Sequence, residues 1–378
     1  MSRTERQTEP QRSSTVARLR GLCQKRRDQP ESICLKPAKN RKRGNRQPGR
    51  GQPSAGEAAQ RPAAKPVGVE RQRPAFRQGT LPVERLPVIL EVGPDENYAL
   101  IDSGDGEKLE RFGEYRVVRP EGQAIWPRAL PQHEWQNADA VFTGDTDEEG
   151  LGRWRFPKQP LGETWPMRHD GIDYLGRFTS FRHVGVFPEQ ASHWRHMARL
   201  IGAAGRPVKV LNLFGYTGLA SLVAAEAGAE VTHVDASKKA IGWARENQAI
   251  ARLENKPVRW ICEDAMRFAE REVRRGNRYD IILLDPPAFG RGPKGEVWQL
   301  FEDLPEMVAL CREILSEKAL AMVLTAYAVR SSFFSIHGLL RGAMAGRGGA
   351  VESGELIIRE ETAGRALSTS MFSRWVAQ

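Results

Sequence analysis

The stretch Val208-Lys-Val-Leu-Asn-Leu-Phe-Gly-Tyr-Thr-Gly218 decides the fold class of this chain. A run of apolar residues ends in two glycines and is followed at once by the helical pattern of residues 219–227. A buried strand that enters a tight turn and then a helix is how open α/β sheets build nucleotide sites. Ordinary α/β packing also produces this pattern, so the stretch predicts a parallel sheet before it predicts a ligand.

Acidic residues then follow the apolar runs further along the chain. Asp235 ends the run 230–234, Glu263 and Asp264 follow the run 258–262, and Asp285 follows the run 279–284. Because the carboxyl ends of parallel strands meet at one edge of a sheet, these acids should lie close together. Asp235, twenty residues after Gly215, is placed to accept the two hydroxyls of a ribose.

These motifs resemble a known family, and the chain lacks both G-x-G-x-x-G and a Gly-Lys-Ser/Thr phosphate loop. The order of residues 213–218, Val234-Asp235, residues 263–265 and residues 285–289 is similar to class I S-adenosylmethionine-dependent methyltransferases. Residues 212–218, Ala244-Arg-Glu-Asn247 and Asp285-Pro-Pro-Ala-Phe289 resemble more narrowly the bacterial 23S rRNA base methyltransferases that modify cytosine C5 or guanine N7. The resemblance covers about residues 178–378.

The resemblance implies S-adenosyl-L-methionine as cofactor and a set of residues that bind it. The predicted cofactor-binding residues are Phe187, Gln190, Asn212, Phe214, Gly215, Tyr216, Thr217, Gly218, Asp235, Ala236, Ser237, Asn247, Asp264 and Ala265. The turn from Gly215 to Gly218 would face the amino-acid part of the cofactor, where a side chain would block it. Asp235 would bind the ribose and Asp264 the adenine amino group. Acids at strand ends also cap helices, and that alternative stays open for Asp264.

The predicted catalytic residues are Asp285, Pro286, Pro287 and Phe289. The two prolines fix φ, so that the Asp285 carboxylate and a backbone carbonyl can both accept from an amino group while Phe289 stacks on a planar ring. Cytosine-C5 chemistry needs a cysteine nucleophile. In the cytosine-C5 members of the resembling family that cysteine follows the fifth strand, where this chain has Thr325-Ala-Tyr-Ala-Val-Arg330 and no cysteine. A nitrogen is therefore the favoured methyl acceptor, with Tyr327 and Arg330 as candidates to line the base pocket.

Charge is distributed unevenly over the 378 residues, whose formal net charge is +10. Residues 1–78 carry 20 Lys plus Arg against 6 Asp plus Glu, so the rest of the chain is net acidic. Residues 1–82 are predicted to be a disordered basic tail, either an RNA-binding arm, a solvated extension or the product of an incorrectly chosen start codon.

The four cysteines show no metal or disulfide spacing, and no apolar run could span a bilayer. A cytoplasmic protein without a metal or a membrane partner is expected.

The predicted architecture has two folded parts. Residues 83–165 should form a small β-rich accessory domain, whose tryptophans either stack on RNA bases or fill its core. By the resemblance, residues 166–378 should form a Rossmann-like α/β methyltransferase domain with seven strands, the last two antiparallel. Residues 178–187 alternate like a hairpin strand, and residues 290–298 are expected to be a mobile basic loop that could bind phosphate or base.

The function predicted from these features is methylation of a base, with nitrogen favoured, in 23S ribosomal RNA. Two alternatives remain at this stage. One is a protein or small-molecule N-methyltransferase, because the loop at residues 285–289 does not distinguish an RNA base from an amide. The other is a protein that binds cofactor or RNA without turnover.

Overall fold

Strands and helices alternate regularly after the glycine-containing turn. A computed structural model describes residues 77–144, 152–327 and 331–378, and all of them belong to one compact unit. The predicted tail, apart from residues 77–82, lies outside the described residues, as does Arg330. Within the described ranges, no helix is both long and apolar enough to cross a membrane.

The described chain contains seventeen strands and seven α-helices. The strands are β1 (Val83–Val92), β2 (Tyr98–Gly104), β3 (Glu107–Phe112), β4 (Tyr115–Pro120), β5 (Ala140–Gly144), β6 (Gly152–Arg155), β7 (Thr164–His169), β8 (Ile172–Arg177), β9 (Lys209–Leu213), β10 (Glu230–Asp235), β11 (Val258–Cys262), β12 (Ile281–Leu284), β13 (Phe289–Arg291), β14 (Val297–Gln299), β15 (Ala321–Tyr327), β16 (Ala350–Arg359) and β17 (Ala366–Val376). The helices are α1 (Gln132–Gln136), α2 (Ala191–Ala203), α3 (Leu219–Glu226), α4 (Lys238–Ile250), α5 (Ala265–Arg275), α6 (Leu300–Ile314) and α7 (Phe333–Ala343).

A mixed sheet forms the centre of the fold, with strand order β1-β16-β17-β15-β12-β9-β10-β11. Strands β9 to β12 and β15 are parallel to one another, and β17 runs antiparallel between β15 and β16, as predicted for the last two strands. The sheet has eight strands, whereas seven were predicted for residues 166–378, because β1 from outside that range pairs in parallel with β16. Strands β1 and β16 lie more than 250 residues apart in the sequence, so no local sequence pattern predicts that they pair.

Both faces of this sheet are covered, and strand β9 contributes to the cores on both sides. In β9, Val210 packs into the core shared with α2 and α3, whereas Leu211 packs into the core shared with α5, α6 and α7. Successive strand residues point to opposite faces, so a strand covered by helices on both sides must be apolar throughout. This explains why the run 208–213 shows no polar alternation.

A five-stranded sheet of β2 to β6 and a β7–β8 hairpin precede the central sheet along the chain. Residues 83–165, which were predicted to form an accessory domain, contain β1 to β6. Strands β2 to β6 form the separate five-stranded sheet, but β1 belongs to the central sheet. The unit proposed for residues 83–165 therefore stays a prediction. Two of its tryptophans, Trp135 and Trp165, are buried in the core and are not available to stack on RNA bases. Their indole N–H groups donate to Asp102 and to the Phe112 carbonyl, respectively.

Two local predictions are wrong. Residues 178–187 form an irregular loop instead of a hairpin strand, with Gly185 at a φ of 102° and packed against Trp243. Residues 290–298, expected to be a mobile loop, contain most of the antiparallel pair β13–β14. Both segments contact distant residues, Gly185 against Trp243 and Trp298 against Phe214, and both contribute residues to the cleft at the carboxyl edge of the central sheet.

Candidate active site

A cleft at the carboxyl edge of the parallel strands contains two adjoining cavities of about 390 and about 50 Å³. The walls that they share are Phe187, Phe214, Tyr216 and Asp285. The larger cavity also brings together the predicted residues Asp235, Ala236, Ser237, Asp264, Ala265, Pro286 and Pro287. The smaller one adds Gln190, Gly215 and Thr217. Most of the predicted set thus meets at one edge, as expected for an open α/β sheet.

In the turn after β9, two residues other than glycine adopt the left-handed backbone conformation. Phe214 and Tyr216 adopt left-handed φ values of 59° and 51°, next to Gly218 at 84°. At Gly215 a Cβ would overlap the imidazole of His233 and lie 2.9 Å from Asn212 Nδ2. The close neighbour that requires glycine at position 215 is therefore a buried histidine of β10, and not only a ligand as the sequence suggested.

Asp235 lies at the tip of β10 and is tied to backbone on both sides. Its Oδ2 accepts from the Tyr216 amide at 2.9 Å and its Oδ1 from the Ser237 amide at 2.8 Å. Burial raises the pKa of this carboxyl to about 6, although the two amide donors act in the opposite direction. Each oxygen retains acceptor capacity, so the carboxylate can receive two further O–H donors.

Two other polar residues of the larger cavity begin helices. Ser237 caps α4 by accepting from the Ala240 amide at 3.2 Å. Asp264 caps α5 by accepting from the Arg267 amide at 3.0 Å. The capping alternative for Asp264 is thus correct as a structural role, and the residue still lines the cavity beside Ala265. A binding role for it remains a proposal.

The loop after β12 differs from its predicted arrangement. Trp298, buried in the β13–β14 hairpin, donates its indole N–H to the carbonyl oxygen of Pro287 at 2.7 Å and packs on Phe214. This carbonyl is therefore already engaged by the protein. Phe289 is 38% exposed and does not line either cavity, whereas Arg291 lines the larger one. The ring-stacking role predicted for Phe289 has no support from its placement.

An aromatic wall closes the side of the cleft opposite the loop. The Phe187 ring lies 5.1 Å from that of Tyr327, 5.7 Å from that of Tyr216 and 4.7 Å from that of His183. The Gln190 amide donates to the Tyr327 hydroxyl at 2.7 Å. Burial, followed by nearby cationic side chains, lowers the pKa of His183 well below its usual value, so this imidazole is neutral. His183 also lines the larger cavity. It was not predicted as a site residue, although it lies only four positions before Phe187 in the sequence.

Three of the predicted cofactor residues do not line either cavity. Asn247 is fully buried, accepts from the Leu175 amide at 3.0 Å and donates to the Thr217 carbonyl at 2.9 Å. Asn212 donates to Ser221 at 2.9 Å, and a Cβ at Gly218 would meet Ala244. These residues hold the turn in place from behind, because their polar groups are used within the protein.

Neither cysteine in the described ranges lines the cleft. Cys311 is buried in α6, where desolvation raises its pKa and keeps it a thiol. Cys262 is exposed at the end of β11 and lies 3.6 Å from the Ala236 carbonyl. Within those ranges no group of three or more His, Cys, Asp or Glu could hold a metal ion.

Comparison with known proteins identifies the family. The family described as conserved hypothetical protein 95 matches residues 193–323. The ribosomal RNA large subunit methyltransferase K/L of Shewanella baltica is 36% identical over 128 residues, which are 33% of this chain and only 17% of that protein. The chain thus spans a small part of this curated relative.

Solved structures extend the comparison over most of the described residues. SMU.776, assigned to the methyltransferases and solved with SAH bound, is 18% identical with a TM-score of 0.56; the match covers 74% of this chain and 76% of that one, and shows a common fold. The SAM-dependent methyltransferase from Agrobacterium tumefaciens is 64% identical, with a TM-score of 0.78, over 80% of this chain and 98% of that one. This chain therefore belongs to the S-adenosylmethionine-dependent methyltransferases of class I, the family whose cofactor is S-adenosylmethionine.

Proposed function

We propose that this protein transfers the methyl group of S-adenosylmethionine to a base, at a nitrogen, in 23S ribosomal RNA. The observation that carries the proposal is the meeting of Asp235, Asp264 and Asp285 with the turn 214–217 around one cleft. A cleft with these strand ends has room for a nucleoside beside a second planar group.

The residues of the larger cavity suit the adenosine part of the cofactor. Asp235 offers carboxylate oxygens for the two ribose hydroxyls, and Asp264 lies beside it for the adenine amino group. Ala236 and Ala265 leave room for the flat ring. Gly215 and Thr217 line the smaller cavity, on the side where the amino-acid end would lie.

The cofactor supplies a strongly electrophilic methyl group, so the protein has mainly to align an acceptor with it. Asp285 lies in the wall between the two cavities and can accept from an N–H of the target. The Trp298 hydrogen bond holds the proline pair beside it. We assign the stacking role to the aromatic wall of Phe187 and Tyr327, because Phe289 lines neither cavity.

A nitrogen acceptor agrees with the chemistry of the cleft. Attack on cytosine C6 requires a thiolate in contact with the base. In the described ranges neither Cys262 nor Cys311 has that position, and Cys311 is kept a thiol by burial.

Ribosomal RNA is supported by the relatives named for the large subunit and by the basic N-terminal segment. In this proposal residues 1–82 contribute phosphate contacts, residues 83–165 flank the cleft as an accessory domain, and the protein acts in the cytoplasm.

The test uses the full chain, tritium-labelled S-adenosylmethionine, and two substrates from cells that lack the protein: total RNA and the matching protein fraction. Asp285→Asn serves as the transfer-deficient control. We expect label in 23S RNA that digests to one N-methylated nucleoside. Label recovered as 5-methylcytidine would overturn the assignment of a nitrogen, and label only in protein would overturn RNA as substrate.

A further inference from the structure

His193 on α2 is a buried polar side chain without a hydrogen bond in the described structure. The residue is 1% exposed, and neither ring nitrogen has a hydrogen-bond partner within the described residues. The ring packs edge-on against Phe372 of β17, with centroids 5.1 Å apart. A buried imidazole left unpaired destabilises a fold, so its presence calls for a function or a bound group.

The surroundings of His193 keep its imidazole neutral. Burial lowers its pKa well below the usual value, and the positive charge of Arg374 acts in the same direction. A neutral imidazole has one N–H donor and one acceptor nitrogen. The side chain therefore presents a single N–H donor at a buried position, where a hydrogen bond to an anionic oxygen is strong.

His193 lines the smaller cavity of the cleft, together with Gly215, Thr217 and Thr325. The volume of about 50 Å³ is sufficient for a small polar group or for water. Because Phe187, Phe214 and Tyr216 also line the larger cavity, a ligand that fills the larger cavity can extend one end into the smaller one.

We propose that His193 recognises the amino-acid end of S-adenosylmethionine by donating its imidazole N–H to the α-carboxylate. This inference rests on the proposed function for the identity of the ligand. The adenosine part would occupy the larger cavity beside Asp235, which leaves the amino-acid end for the smaller one. A carboxylate satisfies the unpaired donor.

The experiment compares ligands that differ only at this end. Isothermal titration calorimetry of the full chain measures the affinity for S-adenosylhomocysteine, for S-adenosyl-3-thiopropylamine, which lacks the carboxylate, and for methylthioadenosine, which lacks the whole amino-acid end. The variants are His193→Leu, His193→Gln, and His196→Leu as a control on the same helix that lies outside both cavities.

We expect His193→Leu to weaken S-adenosylhomocysteine binding about tenfold or more and to leave the two truncated ligands within about twofold. His193→Gln, which keeps a donor, should retain most of the affinity, and His196→Leu should change nothing. Equal weakening of all three ligands, or no change in any, would overturn the role of His193. Failure of the wild-type chain to bind any of the three would instead overturn the proposed cofactor site itself.

Discussion

The indole N–H of Trp298 donates to the carbonyl oxygen of Pro287 at 2.7 Å, across the base of the loop that follows β12. The two residues lie 11 positions apart, and Trp298 also packs on Phe214 of the turn after β9. The hairpin β13–β14 therefore connects the two loops that we assign to methyl transfer and to cofactor binding. Its role is to position both loops, since Trp298 itself is buried.

Trp298→Phe should lower the rate of methyl transfer. The substitution keeps an aromatic ring against Phe214 but removes the donor to Pro287, so the proline pair loses its anchor. We expect kcat to fall about tenfold and the free energy of unfolding to fall by about 1 kcal/mol. Steady-state kinetics and urea denaturation measure these effects. Phe301→Leu, at an exposed position of α6, is the control, and an unchanged kcat in Trp298→Phe would contradict the positioning role.

Asp285→Asn should separate binding from transfer. The amide has the shape of the carboxylate but lacks its charge and one acceptor, so an N–H of the target is no longer held by an anion. We expect kcat to fall about a hundredfold or more, with the affinity for S-adenosylhomocysteine within about threefold of wild type. Parallel loss of cofactor affinity would move Asp285 from the transfer step to the cofactor site.

Cofactor affinity should depend on pH through Asp235. Its pKa is raised to about 6 by burial, and the ionised form is the one that can accept from both ribose hydroxyls. The affinity for S-adenosylhomocysteine should therefore fall about tenfold as the pH is lowered from 7 to 5, because the carboxyl takes up a proton.

The same titration on Asp235→Asn supplies the control. This variant should bind weakly and with no pH dependence over that range, as the amide does not titrate. A variant that keeps the wild-type pH profile would show that another group is responsible.

Gly215→Ala should destabilise the protein through His233. The added methyl group would overlap the imidazole, and forcing such contacts in a packed core costs about 1–3 kcal/mol. In a His233→Ala background the same change should cost much less, which a double-mutant cycle by urea denaturation can measure. An additive cycle, with loss confined to cofactor affinity, would restore the interpretation that Gly215 only makes room for the ligand.

The broad architecture follows from local sequence features. Apolar runs of strand length, each ending in a polar residue, predict parallel strands and place Asp235, Asp264 and Asp285 at one edge, where the structure has them. Such features depend on neighbouring residues along the chain.

Tertiary structure alone decided which of these residues face the cleft. Asn247 faces the backbone of Thr217, 30 positions away, and Phe289 is exposed and lines neither cavity. His193 reaches the smaller cavity, and β1 joins the sheet, through contacts between distant segments. A side chain's direction is set by the packing of whole elements against one another, so the sequence determined the edge at which the site forms and the fold determined its walls.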